Sequence, residues 1–167
     1  NIFATETFVY DALNRVIQKT DPLGHIEMTS YNDVLDEHGQ KVLQKVHTDP
    51  LGLQTIETFD PQDNLQSLEK RKDKTLSLIK KFYTPSEKLS CQIDTIFALD
   101  SSPRQVTTRW EYDSMGREIT LAEAAGTLEE KITQKTYRPS GELKTLTKPD
   151  GTIIFYNYNG LNQLISI

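Results

Sequence analysis

One cysteine, one tryptophan, two methionines and three histidines are all the chain carries of those residues in 167 positions. Cys91 alone makes neither an internal disulfide nor a thiolate metal cluster. With no partner nearby for a nucleophilic role, it reads as a small apolar residue. His25, His38 and His47 stand 13 and 9 residues apart, which is not the spacing of a helical metal site. Positive charge is also short: 19 Lys and Arg face 24 Asp and Glu, for a net charge of −5. No basic stripe exists, which excludes nucleic acid as a partner, and Lys70-Arg71-Lys72, flanked by Glu69 and Asp73, reads as a solvated turn. No apolar run approaches a membrane span. Hydrophobic residues make up 36%, below the usual soluble share, so a thin sheet with one wet face is expected rather than a thick core. A Gly-rich phosphate loop, a nucleophile elbow and zinc spacing are all missing. No catalytic, metal or cofactor-binding residue is therefore assigned, and no enzymatic activity is expected. The chain opens on Asn1 with no signal peptide, so a fragment of a larger protein is expected.

What the chain does have is a repeat, the feature that most constrains a fold. Its cleanest copy is Tyr112-Asp113-Ser114-Met115-Gly116-Arg117. Related copies begin at Tyr10 (with Asp11), Phe59 (with Asp60), Tyr83, Tyr137 (with Gly141) and Tyr158, and a distorted copy begins at Tyr31 and reaches its glycine late, at Gly39. The mechanism is local. An aromatic closes a strand and four residues make a turn, with Asp or Asn favoured first, Pro second, and Gly, Asn or Asp fourth. A type I turn followed by a left-handed residue is a common hairpin link, and Glu87 is the poor fit at that fourth position. A second turn class alternates with the first: Asp21-Pro22-Leu23-Gly24, Asp49-Pro50-Leu51-Gly52, Lys148-Pro149-Asp150-Gly151 and, more weakly, Glu123-Ala124-Ala125-Gly126. The seven prolines and eight glycines fall in turns or loops and interrupt no strand.

Between the turns lie short strands. Val106, Thr108, Trp110 and Tyr112 alternate with Thr107, Arg109 and Glu111, the period of a half-buried strand. Two irregular insertions are expected, near residues 32–40 and 94–104, and a final strand from Leu164 is expected to lack a partner. Turns about ten residues apart with β-rich segments between predict an all-β antiparallel meander of hairpins. Alternating turn classes place the aromatic turns along one edge and the glycine turns along the other, in a quasi-one-dimensional array over 1–167.

These copies, at steps of 21 to 29 residues, resemble the YD-repeat, or RHS-repeat, family. Its members include bacterial Rhs toxins, the B and C components of Tc toxins, and animal teneurins. The resemblance implies a β-sheet that spirals into a hollow shell, secreted or at the cell surface, most often bacterial, with a toxic polypeptide enclosed. It implies flanking repeats and an enclosed polypeptide as partners. The aspartate-dependent self-cleaving segment of the family's toxins has no counterpart here, since Asp21-Pro22 and Asp49-Pro50 sit in turn sequences. Two roles follow: a structural wall segment, or a module that binds a carbohydrate or a cell-surface receptor on its outer face. The aromatic row reads first as cross-strand pairing within the sheet and second as a surface for stacking sugars. Trp110 is the best single candidate for a ligand contact.

Overall fold

The structure, a computed structural model, describes residues 4–36, 38–97 and 102–167. The strands are β1 (Thr7–Tyr10), β2 (Val16–Thr20), β3 (Ile26–Leu35), β4 (Lys41–Thr48), β5 (Gln54–Phe59), β6 (Leu65–Arg71), β7 (Thr75–Tyr83), β8 (Leu89–Ile96), β9 (Arg104–Tyr112), β10 (Glu118–Glu123), β11 (Lys131–Tyr137), β12 (Leu143–Thr147) and β13 (Ile153–Phe155). They form one antiparallel meander in which sheet order follows chain order. β14 (Asn157–Tyr158) and β15 (Leu164–Ser166) form a separate two-stranded sheet. No helix occurs among the described residues, and 124–129, whose composition also suits a short helix, is a run of turns and a bend. Residues up to Lys81 with 94–105 make one compact unit, and 82–93 with 106–167 make the other.

A single backbone turn serves both turn classes. At Asp11, Asp21, Asp49, Asp60, Thr84, Asp113, Arg138, Lys148 and Asn159, the N–H three residues on donates to that residue's carbonyl, and its own N–H donates to the carbonyl four residues on. The fourth residue takes positive φ, including Asn14 (60°), Asp63 (66°), Glu87 (59°) and Asn162 (59°). The first side chain explains the sequence preference. Asp113 Oδ1 accepts the N–H groups of Met115 and Arg117, both at 2.9 Å, and the Asp11, Asp21, Asp49, Asp60 and Asn159 oxygens each hold the equivalent pair. These are the Asx turns that make Asp and Asn good turn residues.

The two classes differ in the strands they join. After the glycine turns the ladder is regular: Thr20 faces Ile26 and Lys19 faces Glu27, Thr48 faces Gln54 and His47 faces Thr55, Thr147 faces Ile153 and Leu146 faces Ile154. At five aromatic turns one residue is extra. Tyr10 faces Val16 but Val9 faces Gln18; Phe59 faces Leu65 but Thr58 faces Ser67; Tyr137 faces Leu143 but Thr136 faces Thr145. The same bulge follows Tyr112 and Tyr158. A β-bulge bends its strand and raises the local twist, so the aromatic end of each hairpin is built differently from the glycine end.

The structure corrects several expectations. Tyr31 closes no strand: β3 runs through it to Leu35, paired residue for residue with β4 from Met28↔Thr48 to Leu35↔Lys41, and the turn comes at Asp36 and Gly39. The first part of the expected insertion at 32–40 is paired strand, because Asn32, Asp33, Val34 and Leu35 find register partners in Gln44, Leu43, Val42 and Lys41. The irregular 94–104 stretch is shorter than expected, with β8 continuing to Ile96 and β9 starting at Arg104; residues 98–101 lie outside the described residues. Gly126 belongs to a wider turn, with Ala124 also at positive φ (52°) and Thr127 donating to the Ala124 carbonyl. The strand from Leu164 does have a partner, since β15 pairs with β14.

Burial is thin. In the first unit Val42, Ile56 and Thr95 are buried, and in the second Ala122 and Ala125. No large side chain among the described residues is fully buried. The covered face is the tyrosine face, whatever else it carries. On β3 Glu27, Thr29 and Tyr31 are half-buried while Ile26 and Met28 are exposed; on β11 Thr133, Lys135 and Tyr137 are half-buried while Ile132, Gln134 and Thr136 are exposed. Arg15 lies over Tyr31 and Arg117 over Tyr137 on that face, and such basic side chains cover surface with their stems while their heads stay wet.

Gly116 is the one glycine whose added Cβ would meet a neighbour within 4 Å. Its φ is +76°, and an added Cβ would stand 2.7 Å from Lys88 Cε. Gly160 has open space and no positive φ. Gly116→Val is therefore expected to lower the melting temperature clearly more than Gly160→Val, with equal shifts refuting the turn register. Glu87→Gly, which removes a Cβ from a left-handed position costing roughly 1–2 kcal/mol, is expected to hold or raise the melting temperature; a fall would contradict the geometry at that turn.

Candidate functional site

The repeat-defining residues converge on one interlock, repeated along the aromatic edge. It starts from the Asx turn. Arg117 follows the turn and folds back on Asp113, with Nε at 2.7 Å and Nη2 at 2.7 Å from Oδ2. Its Nη1 donates to the Arg138 carbonyl at 3.2 Å, and its guanidinium lies 4.6 Å from the centre of the Tyr137 ring. Tyr137 completes the link by donating its hydroxyl to the Glu118 carbonyl at 2.7 Å. One arginine thus closes its own turn and seats the next repeat's aromatic.

The pattern recurs with its parts exchanged. Lys88 lies 5.4 Å from the Tyr112 ring, and the Tyr112 hydroxyl donates to the Leu89 carbonyl at 2.8 Å. Arg138 lies 5.5 Å from the Tyr158 ring, and that hydroxyl donates to the Leu143 carbonyl at 2.9 Å. In each case the acceptor is the residue just after the six-residue motif of the preceding repeat: Leu89, Glu118 or Leu143. In the first unit Arg15 pairs with Asp11 at 2.7 Å and stacks 4.0 Å from the Tyr31 ring. So Tyr31, although it closes no strand, still receives the cation of the repeat before it. Phe59 has no hydroxyl to give.

Electrostatics follow from this arrangement. The Arg117 backbone N–H, with its guanidinium and the Met115 N–H, holds the Asp113 carboxyl below its ordinary value against a smaller opposing effect of burial. The Arg15 N–H and side chain do the same for Asp11. Burial, then the Glu118 charge, raises the Tyr112 phenol. Lys135, hydrogen-bonded to Glu118 at 2.7 Å, is raised by that contact.

Most of the sequence-assigned residues stand on this edge: Tyr10, Asp11, Phe59, Asp60, Tyr83, Tyr112, Asp113, Gly116, Arg117, Tyr137, Gly141 and Tyr158. Gly24, Gly52, Gly126 and Gly151 stand at the opposite strand ends as turn residues. At Tyr112 and Tyr137 the expected ring-to-ring pairing is replaced by a different neighbour. Tyr112 faces Glu118 and Tyr137 faces Leu143, because the aromatics recur on every second strand, about 9–10 Å apart at ordinary strand spacing; a cation fills the interval instead. Trp110 is half-buried on β9 opposite Leu121, on the same face as Tyr112, a packing position. Sequence reasoning missed Arg15, Lys88 and the hydroxyl acceptors. The available signal was a basic residue at the sixth motif position of three copies. Among the described residues no group of His, Cys, Asp and Glu could hold a metal ion, and no helix is long and apolar enough to cross a membrane.

No family model and no curated protein matches the chain. Solved structures do. A chain in the structure of the Photorhabdus luminescens Tc holotoxin pore, carrying a TccC3 mutation, superposes with a TM-score of 0.58 at 14% identity, covering 96% of this chain and 10% of that one. A chain in the crystal structure of TcdB2-TccC3-Cdc42 superposes with a TM-score of 0.54 at 14% identity, covering 97% and 10%. The meander therefore has the fold of a stretch within Tc toxin chains, and this chain spans about a tenth of their length.

Two outcomes test the interlock. Tyr137→Phe, which strips the Glu118 carbonyl of its donor, is expected to destabilise by about 0.5–1.5 kcal/mol, while Tyr10→Phe, at an exposed ring, is expected to change nothing; chemical denaturation of both variants decides. The lowered Asp11 and Asp113 values contribute stability that is full above the ordinary value of 3.8 and is lost as pH falls through the folded values. The melting temperature should therefore drop below about pH 4, and Asp113→Asn should flatten that drop. An unchanged acid limb in the variant would refute the assignment.

Proposed function

We propose that this chain is a wall segment of a hollow YD/RHS-repeat shell that encloses a polypeptide in a secreted bacterial toxin, and that it catalyses nothing itself. The observation that carries the reading is the interlock. It couples the repeats beginning at Tyr112, Tyr137 and Tyr158 to the ones before them through one cation, one ring and one hydroxyl, so the array extends by addition without a central core. A wall needs a sheet that holds its form one layer thick, and here the ionic and aromatic links along one edge supply cohesion that burial does not. The Tc toxin chains with the same fold support the assignment to a toxin and to secretion, and the aromatic motif supports the repeat family. On this reading the partners are neighbouring repeats and the enclosed polypeptide, and the wall acts by exclusion.

Electron microscopy of the full-length protein is the test. The expected result is a closed cavity containing density for a polypeptide, with this segment in its wall. A solid sandwich, or an open sheet presenting Trp110 and its neighbours to a bound glycan, would overturn the reading.

A further inference from the structure

One repeat carries its charges the wrong way round. In the copies at Tyr10 and Tyr112 the second position is acidic and the sixth basic, and the two pair: Asp11 with Arg15, Asp113 with Arg117. In the copy at Tyr137 the second position is Arg138 and the sixth is Glu142. The reversed pair does not close. Glu142 accepts the Ser140 hydroxyl instead. Arg138 still stacks on the next aromatic, Tyr158, but its Nη1 is buried with no hydrogen-bond partner. The side chain as a whole is half-buried, but a guanidinium nitrogen shielded from water without an acceptor is unfavourable, and no other side-chain nitrogen or oxygen among the described residues is left so.

Beside it the structure holds an open cleft of about 340 Å³, lined by Arg138, Lys144, Tyr137, Tyr156 and Tyr158 among others. Lys144 is exposed, and among the described residues the cleft is lined by two cations and no acid, although Glu142 lies close enough to Arg138 for their charges to interact. We propose that this cleft binds a carboxylate, which takes the place of the aspartate that pairs with arginine in the copies at Tyr10 and Tyr112. A planar carboxylate matches the guanidinium fork through two parallel N–H···O bonds, Lys144 adds a second charge, and the tyrosines give an apolar seat for the body that carries the acid. The group comes either from a free organic acid or from an acidic side chain of a polypeptide.

Titration of the 167-residue chain with sodium acetate, followed by NMR of the Arg138 Nε–Hε group and the Tyr156 and Tyr158 rings, tests this. Saturable shifts are expected with acetate and not with acetamide, its neutral isostere. Arg138→Gln should weaken the response at least tenfold. The double variant Arg138→Asp with Glu142→Arg restores the charge order of the other repeats; it should keep the melting temperature and lose the response. A glutamate-containing hexapeptide and free glutarate separate the sources: tighter binding of the peptide assigns a polypeptide side chain, and tighter binding of glutarate assigns a small acid. Linear shifts with acetate, an equal response to acetamide, or an undiminished response in the double variant would overturn the proposal. None of these results depends on the shell reading, which stands or falls on the cavity.

Discussion

A guanidinium held between a carboxylate and an aromatic ring is the contact on which the architecture turns. Arg117 shows why. Alone, an exposed ion pair contributes little to stability, and an exposed cation–ring contact contributes about 0.5–1 kcal/mol. Here the same group makes both and also donates to the Arg138 carbonyl. The Asp113 carboxylate that orients it is itself fixed by two backbone N–H groups, so the guanidinium is placed by the turn rather than by chance. The ring it seats then donates its hydroxyl back to the backbone beside the turn. Each link restricts the next, which is how a sheet with so little burial keeps a definite register.

The bulge belongs to the same device. An extra residue after the aromatic turn lets Tyr112 stand opposite Glu118 while Glu111 stands opposite Thr120. The glycine turns have no such task and no bulge. The two edges of each hairpin therefore share a turn and differ in purpose: one only reverses the chain, and the other also fastens it to the repeat beyond.

Much of this was legible in the residues. Alternation from Val106 to Tyr112 gave the strand and its covered face, and Asp113 with Gly116 gave the turn. What escaped had physical reasons. Tyr31 was misplaced because its ring keeps its place in the repeat while the turn moves on to Asp36, and the motif ties the two together. The Asp49 and Asp113 turns look different because their second and third residues differ, Pro50-Leu51 against Ser114-Met115, whereas both begin on Asp and place a glycine fourth. Ring pairing was expected from recurrence alone, which is blind to the strand that intervenes. The Tyr112 acceptor is 23 residues away, beyond any local pattern. At Arg138 the sequence already shows the charges exchanged, and only the unpaired nitrogen shows that the exchanged pair does not close.

The meander also decides how the chain can reach this state. Every strand of the large sheet lies beside its neighbours in sequence, so no pairing waits on a distant segment. Low sequence separation between contacting residues favours fast folding, and β-proteins are slow mainly where pairings are non-local. Each hairpin can close as soon as its second strand exists, and each tyrosine can lock once the turn before it has formed. Order can therefore advance along the chain in the direction of synthesis, one repeat templating the next, with no long-lived stage in which half the sheet waits for the other half.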